Sequence, residues 1–432
     1  MRLRSVGASR QTARDSDSLW LARFGSGVMP TASDVAGPTA GDIRSLRDGI
    51  LSYILATADF AREDRLWPSD PNVFLTNPLS VAWGAGGIAA FLYDALGEIP
   101  RRVEHWLLDR QVGVADYPPG LLIGMAGVAY SFCEVGLKER AEKIMAACYQ
   151  SPILFTDPTM FLGVAGWGLC SLYFYNECGG QGYLDMAARA ADWLRGTASE
   201  VSEGVCWKGG YYSDLHYGYG YGASGIAWFL LQAGLTLADD GLVSMAKRAL
   251  AFDIARRAET GKGWGWRDRE GGTRVLPYWV YGGAGVGTVA IRFLECLGDP
   301  AYLDLAEVIA DGAFAKWTAL PSMTNGVSGI GDFMLDMLLR CNRDRYAERA
   351  LDIAATLPVY ALDRPSGLAF PGRWQRRISN DFATGSAGIG FFLNRLLRPR
   401  RKFLVDLCAT PRVDSASELP SQVACFRQVP DI

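Results

Sequence analysis

Histidine is nearly absent: the 432 residues contain two, His105 and His216. That count excludes chemistry built on several imidazoles, whether a metal cage or a proton relay. The nine cysteines stand at irregular spacing with no Cys-x-x-Cys pair. Cys133, Cys170 and Cys296 fall within apolar helical runs, so they read as reduced core thiols of a cytoplasmic protein and not as a disulfide framework. No apolar run reaches the length of a membrane span, and Met1–Ser18 lacks the apolar core of a signal peptide, so no membrane partner is expected. Charge of one sign is missing too. With 43 basic and 46 acidic side chains the net charge is −3, which argues against a nucleic-acid partner.

What the chain has in abundance is glycine, in a repeated setting. A Gly-x-x-Gly followed at once by an apolar, helix-compatible run starts at Gly84, Gly124, Gly163, Gly222, Gly282, Gly326 and Gly385, with spacings of 40, 39, 59, 60, 44 and 59 residues. Repetition at this period is an internal-repeat signal. Two kinds of helix alternate along it. Amphipathic stretches such as 183–194, and others starting near Leu242, Tyr302 and Arg345, offer a charged face to water. The run after each glycine motif, such as Gly225-Ile226-Ala227-Trp228-Phe229-Leu230-Leu231, is apolar nearly all round and must be covered on every side.

The pattern predicts an all-α fold: a closed α/α toroid of seven inner and about seven outer helices. The expected boundaries are an N-terminal segment without fixed structure over 1–41, a leading helix and linker over 42–75 with Asp42 as its cap, the toroid over 76–400, and a C-terminal tail over 401–432. The glycines let inner helices converge at one end of the ring. Seven helix N-termini around one mouth would then present orphan N–H groups and favour an anionic ligand.

With these motifs in view, the chain resembles the LanC family of lanthionine cyclases across about 76–400, and most nearly the zinc-free cyclase domain of class III lanthipeptide synthetases. The lead-in through 54–59, Trp67-Pro68-Ser69-Asp70 and Asn77-Pro78-Leu79-Ser80 is similar to the junction before the cyclase domain there. Neither a nucleotide-binding glycine loop nor kinase signatures are found. The resemblance therefore implies a stand-alone or truncated cyclase acting in trans, with a precursor peptide as substrate and a separate kinase or lyase as partners. Zinc-dependent members carry Trp-Cys-Tyr-Gly and Cys-His-Gly; here the matching runs are Trp279-Val280-Tyr281-Gly282 and Thr324-Asn325-Gly326. No ligand remains, so neither a metal at this place nor any other cofactor is expected. The family's acid–base histidine position falls on Tyr221, and that of its acidic partner on Thr159, with Asp157 the nearest carboxylate.

The resemblance implies addition of a cysteine thiol to dehydroalanine or dehydrobutyrine, giving thioether or labionin-type rings. Within Tyr211–Tyr221, His216 is the one group that titrates near neutrality, and Asp214 is placed to orient it. Tyr221 is a proton donor to the enolate, while Tyr281 and Asn325 are hydrogen-bond donors where the metal would sit. Trp207, Trp264, Trp266, Tyr278, Trp279 and Trp374 suit a peptide cleft, and Arg373 with its neighbours Arg376 and Arg377 suits an acidic peptide. Asp332 caps or pairs. Two other readings stay open: a non-catalytic scaffold presenting the precursor peptide, and a carbohydrate-active toroid needing two inward carboxylates.

Overall fold

The structure, a computed structural model, describes residues 37–408 apart from 209, 212 and 213. The segments expected over 1–36 and 409–432 lie outside the described residues. Fourteen α-helices occur among the described residues. First comes α1 (Ala40–Ala56). Six hairpins follow: α2 (Ala85–Leu96) with α3 (Arg101–Asp109), α4 (Met125–Glu134) with α5 (Lys138–Cys148), α6 (Val164–Cys178) with α7 (Gln181–Thr197), α8 (Ala223–Leu237) with α9 (Asp240–Ala255), α10 (Gly283–Leu297) with α11 (Ala301–Ala313), and α12 (Val327–Cys341) with α13 (Asp344–Tyr360). Last is α14 (Ser386–Leu397).

The even-numbered helices are the seven that follow the glycine motifs. Each packs on the next, and α14 packs back on α2, so the inner ring is closed. The first helix, α1, leans on the last, α14, and so supplies the outer helix that α14 lacks. Its cap differs from expectation. Thr39 is the N-cap and Asp42 sits at the third position, the two completing a capping box. Short antiparallel hairpins decorate the loops after outer helices: β1 (Ser199–Val201) with β2 (Gly204–Cys206) in register Ser199↔Cys206, the three-stranded β3 (Ala258–Glu259), β4 (Trp264–Arg267) and β5 (Val275–Leu276), and β6 (Leu362–Arg364) with β7 (Gly367–Ala369).

The glycines owe their place to packing. Counting back from each motif, the residues two before the first glycine are Ala82, Leu122, Phe161, Gly220, Val280, Thr324 and Ala383. Each donates its N–H to the carbonyl of the next, and Ala383 donates to Ala82, at N···O distances of 2.8–3.2 Å. Seven backbone hydrogen bonds thus close a collar around the ring axis. The residues one step earlier, Val81, Leu121, Met160, Tyr219, Trp279, Met323 and Phe382, are all buried. Their carbonyl oxygens lie against the second glycine of the same motif, and a side chain there would be driven far inside van der Waals contact. No larger residue fits.

This arrangement corrects the expectation of a rim of orphan amides. In five repeats the first helical N–H donates to the carbonyl seven residues back: Ala85 to Pro78, Met125 to Pro118, Val164 to Asp157, Val327 to Leu320 and Ser386 to Ser379; in the fifth repeat the second helical amide, Ala284, donates to Pro277. The lead-in loop folds under its own helix and satisfies the N-terminus locally, so these first amides are spent before any ligand arrives.

The expected tail from 401 is likewise corrected as far as Cys408. Leu404, Val405, Leu407 and Cys408 are buried. Tyr219 donates its hydroxyl to the Leu404 carbonyl, and Trp228 Nε1 donates to Val405 O at 2.9 Å. Phe403 stacks on Phe391 at 4.5 Å between ring centroids. The segment plugs the ring from the side opposite the lead-in loops. There Arg292, Arg395 and Lys402 interlock with Asp332, Asp336 and Asp406 at 2.6–3.1 Å. Asp332 is therefore a pairing residue. Burial works against ionised Asp336, but Arg292, Lys402 and Arg395 hold its carboxyl well below the usual range. A chamber of about 390 Å³ remains beside this network, lined by Tyr130, Trp279, Met323, Phe382, Asp332 and Lys402 among others.

Candidate active site

The collar has two faces. Residues three before each glycine belong to its buried side, while those one before it, Trp83, Ile123, Leu162, Tyr221, Tyr281, Asn325 and Thr384, sit on the lead-in loops of the other. On that outward face Tyr221 and Tyr281 stack at 5.1 Å with 11° between planes, and Tyr221 stacks on Phe161 at 4.6 Å. His216 joins the group at 5.8 Å from Tyr221 and 5.5 Å from Tyr281, and Trp83 extends it at 5.9 Å from Phe161. All but Phe161 are half-buried. The fold therefore brings together three of the expected residues, His216, Tyr221 and Tyr281, from two repeats.

The fourth repeat is the odd one. His216 occupies the place, seven residues before the helix, whose carbonyl serves the first amide in five of the other repeats. Here the acceptor is the buried Asp253 carboxylate. Its Oδ2 takes Ser224 N at 2.9 Å, Ser224 Oγ at 2.5 Å and Gly218 N at 3.3 Å, and Ala223 N contributes as well. Oδ1 has no partner. Burial pushes this carboxyl up to about 6, against the hydrogen bonds that lower it. Holding the helix from Asp253 releases the His216 segment to pair with Arg269 instead.

His216 Nδ1 lies 3.2 Å from the Asp268 carbonyl. A carbonyl can only accept, so Nδ1 carries the proton and Nε2 the basic lone pair. Burial lowers the imidazole below the ordinary histidine value, opposed by the Asp268 carbonyl and by the charges of Asp268 and Asp214. This corrects the role given to Asp214. Its carboxylate is exposed and pairs with Arg269 at 3.6 Å, and the orienting partner at Nδ1 is main chain. A small cavity of about 20 Å³, room for one water, opens beside His216 and Tyr221 and is bordered by Asp157, Thr159 and Asp214. Asp157 is held there by Thr159 N at 2.8 Å and Tyr211 N at 2.9 Å.

Asn325 also stands on the outward face, donating from Nδ2 to Thr324 Oγ1 at 3.4 Å. Several expected cleft residues do not belong to it. Trp207 and Trp266 are buried pins whose indole N–H groups donate to the carbonyls of Leu194 (2.9 Å) and Asp253 (2.6 Å) at the ends of α7 and α9. Trp67 does the same to Ile54 of α1 at 2.8 Å. The three share a 13-residue spacing, and a tryptophan at that offset satisfies a C-terminal carbonyl that the helix cannot. Trp279 is buried, stacks on Tyr219 at 5.0 Å and borders the chamber, not the outward face. Trp264 is half-buried under Arg257 (4.3 Å to the ring centroid). Tyr278 is half-buried on the lead-in loop, its phenol raised by burial against the Thr318 hydrogen bond, and Arg373 reaches Asp70 at 3.1 Å. Phe161, Trp83 and Asp253 were not picked out from sequence. Aligning the positions one and two before every motif would have exposed the first two, whereas nothing local marks Asp253.

Residues 137–407 match the family described as Lanthionine synthetase C-like protein. The chain belongs to this family. It is 31% identical over 386 residues to a probable SapB synthase of Streptomyces coelicolor (strain ATCC BAA-471 / A3(2) / M145), an alignment covering 84% of this chain and 39% of that relative. It thus spans well under half the length of that protein. Among solved structures, nisin cyclase superposes with a TM-score of 0.58 at 15% identity, covering 83% of this chain and 95% of the other. The Lin0763 protein from Listeria innocua gives 0.50 at 12%, covering 82% and 95%. At these identities the likeness concerns the fold, and it bears out the α/α toroid. Among the described residues no group of three or more His, Cys, Asp or Glu side chains is arranged to hold a metal ion, and a valine, a threonine and an asparagine at 280, 324 and 325 are unsuited to zinc. No described helix is long and apolar enough to cross a membrane.

Proposed function

We propose that the chain is a lanthionine-type cyclase unit of lanthipeptide biosynthesis, joining a cysteine thiol of a precursor peptide to a dehydroalanine or dehydrobutyrine without zinc at the 280/324/325 position. The observation that carries the reading is the clustering of His216, Tyr221 and Tyr281 on one half-buried face, with the imidazole biased toward its neutral form. In this reading Nε2 of His216 takes the thiol proton as sulfur attacks the alkene β-carbon. The π pair moves onto the α-carbon and its carbonyl, giving an enolate. Tyr221 gives its hydroxyl proton to the α-carbon, and the His216 imidazolium returns one to the tyrosinate. Tyr281 and Asn325 steady the enolate oxygen by hydrogen bonding.

A free thiol at pH 7 is only a few per cent thiolate, so a base matters, and a positioned one contributes about 10²–10⁴ in rate. Confinement of thiol and alkene supplies more, with effective molarities of about 10⁵ M for well-oriented groups. The test is timed thioether formation on a dehydrated precursor by wild type, His216→Ala and Tyr221→Phe. Losses of about 10²–10⁴ for His216→Ala are expected. Ring formation that proceeds equally well without the protein would leave the scaffold reading in its place, with a precursor held and a separate kinase or lyase acting on it.

A further inference from the structure

Trp374 and Gln375 both adopt left-handed backbone angles, with φ of 65° and 55°, a conformation that costs non-glycine residues energy and persists only when the surroundings impose it. The surroundings do so here. Arg373 is tied to Asp70, Gln375 Nε2 donates to the Ala319 carbonyl, and Gly372 N donates to Arg377 O at 2.7 Å. What the strain secures is an indole with 75% of its surface exposed. Arg376 and Arg377, beside it, are exposed, and among the described residues neither meets a carboxylate. Asp70, to which Arg373 is tied, caps the short turn that carries Phe74 and Leu75, 49% and 82% exposed, and the Arg65 guanidinium lies 5.6 Å from the Phe74 ring and within the repulsive field of Arg377.

We propose that this loop is a preorganised docking point for a linear peptide segment carrying carboxylates next to apolar side chains. Tryptophan and arginine are the residues that most often dominate binding, and fixing them beforehand lowers the cost of association. The unpaired guanidinium groups select carboxylates, and Trp374, Phe74 and Leu75 receive the apolar side chains. The loop precedes α14, on the same side of the collar as His216. The segment bound is therefore a non-reacting part of the peptide whose cysteine reaches the outward face, and in that respect the inference rests on the cyclase reading.

The test uses the full chain and a fluorescein-labelled peptide of alternating Glu and Leu, with alternating Lys and Leu as control. Because this probe has neither thiol nor alkene, its binding is independent of ring formation. The expected result is salt-sensitive binding of the Glu–Leu peptide, at least tenfold weaker in W374A and in the double variant R376E/R377E. In Trp374→Gly binding should fall equally while Tm rises by about 1–3 °C as strain is relieved; a purely structural tryptophan would lose stability instead. Equal binding by wild type and variants, equal binding of the Lys–Leu peptide, tighter binding of an oligothymidylate, or self-association abolished by W374A would each overturn the proposal.

Discussion

The two sides of the collar are opposites. On the outward face His216, Tyr221 and Tyr281 are half-buried and held by ring stacking and a main-chain carbonyl. On the chamber face Arg292, Arg395, Lys402, Asp332, Asp336 and Asp406 are locked in a buried network closed by residues 401–408. The contrast suggests a division of labour: charge is spent on closing the ring at one end, and neutral, titratable groups are kept for the other.

The sharpest way to break that division is on the chamber side. Gly127→Ala would force a side chain into the Leu121 carbonyl, and a loss of about 4 kcal/mol or more is expected, read as absence of soluble folded protein. Asp336→Ala leaves Arg292, Arg395 and Lys402 short of a shared carboxylate and should cost about 3–5 kcal/mol in denaturant unfolding. By contrast His216→Ala should move stability by only about 1 kcal/mol while removing most of the rate. If Asp336→Ala were silent in stability, or His216→Ala cost as much as it does, the two faces would not differ in the way described.

Acid titration sharpens the comparison. His216 titrates below the ordinary histidine value, so it stays neutral through pH 7. The rate should be level there and fall about tenfold per unit once the pH drops below that lowered pKa. A pH–rate profile with its acid limb above 6.5 would contradict this. The smallest effect concerns Asp253. Its folded pKa, about 6, lies above the unfolded value, so the folded state binds the proton more tightly and is penalised when the carboxyl ionises. Wild-type stability should therefore rise, relative to Asp253→Asn, as pH falls from about 6 to 4, by up to about 3 kcal/mol. A stability gap between the two that stays constant across this range would sink the assignment.

Much of the architecture was readable in advance. Seven glycine motifs followed by all-round apolar runs demand seven covered helices, and the amphipathic stretches between them have only one place to go. The position of His216 near Tyr221 and Tyr281 was readable too, since all three stand just before inner helices. The buried tryptophans were not. A tryptophan in a loop looks the same whether its indole meets a peptide or a helix-end carbonyl, and only the 13-residue offset separates Trp207 and Trp266 from a cleft wall. The rim of helix amides was misjudged for a related reason: whether an N-terminus is free depends on how its lead-in loop folds back, which local pattern does not report.

Sequence alone determined the helix count, the inner and outer roles and the need for glycine, because each follows from periodicity and from how little room a crowded helix start leaves. Only the tertiary structure decided that Ala383 meets Ala82, that Asp253 stands in for a carbonyl in the fourth repeat, and that residues 401–408 return to seal the ring. Those pairings join residues up to hundreds of positions apart. Their energy comes from burial and charge neutralisation that exist only once the whole circle has closed.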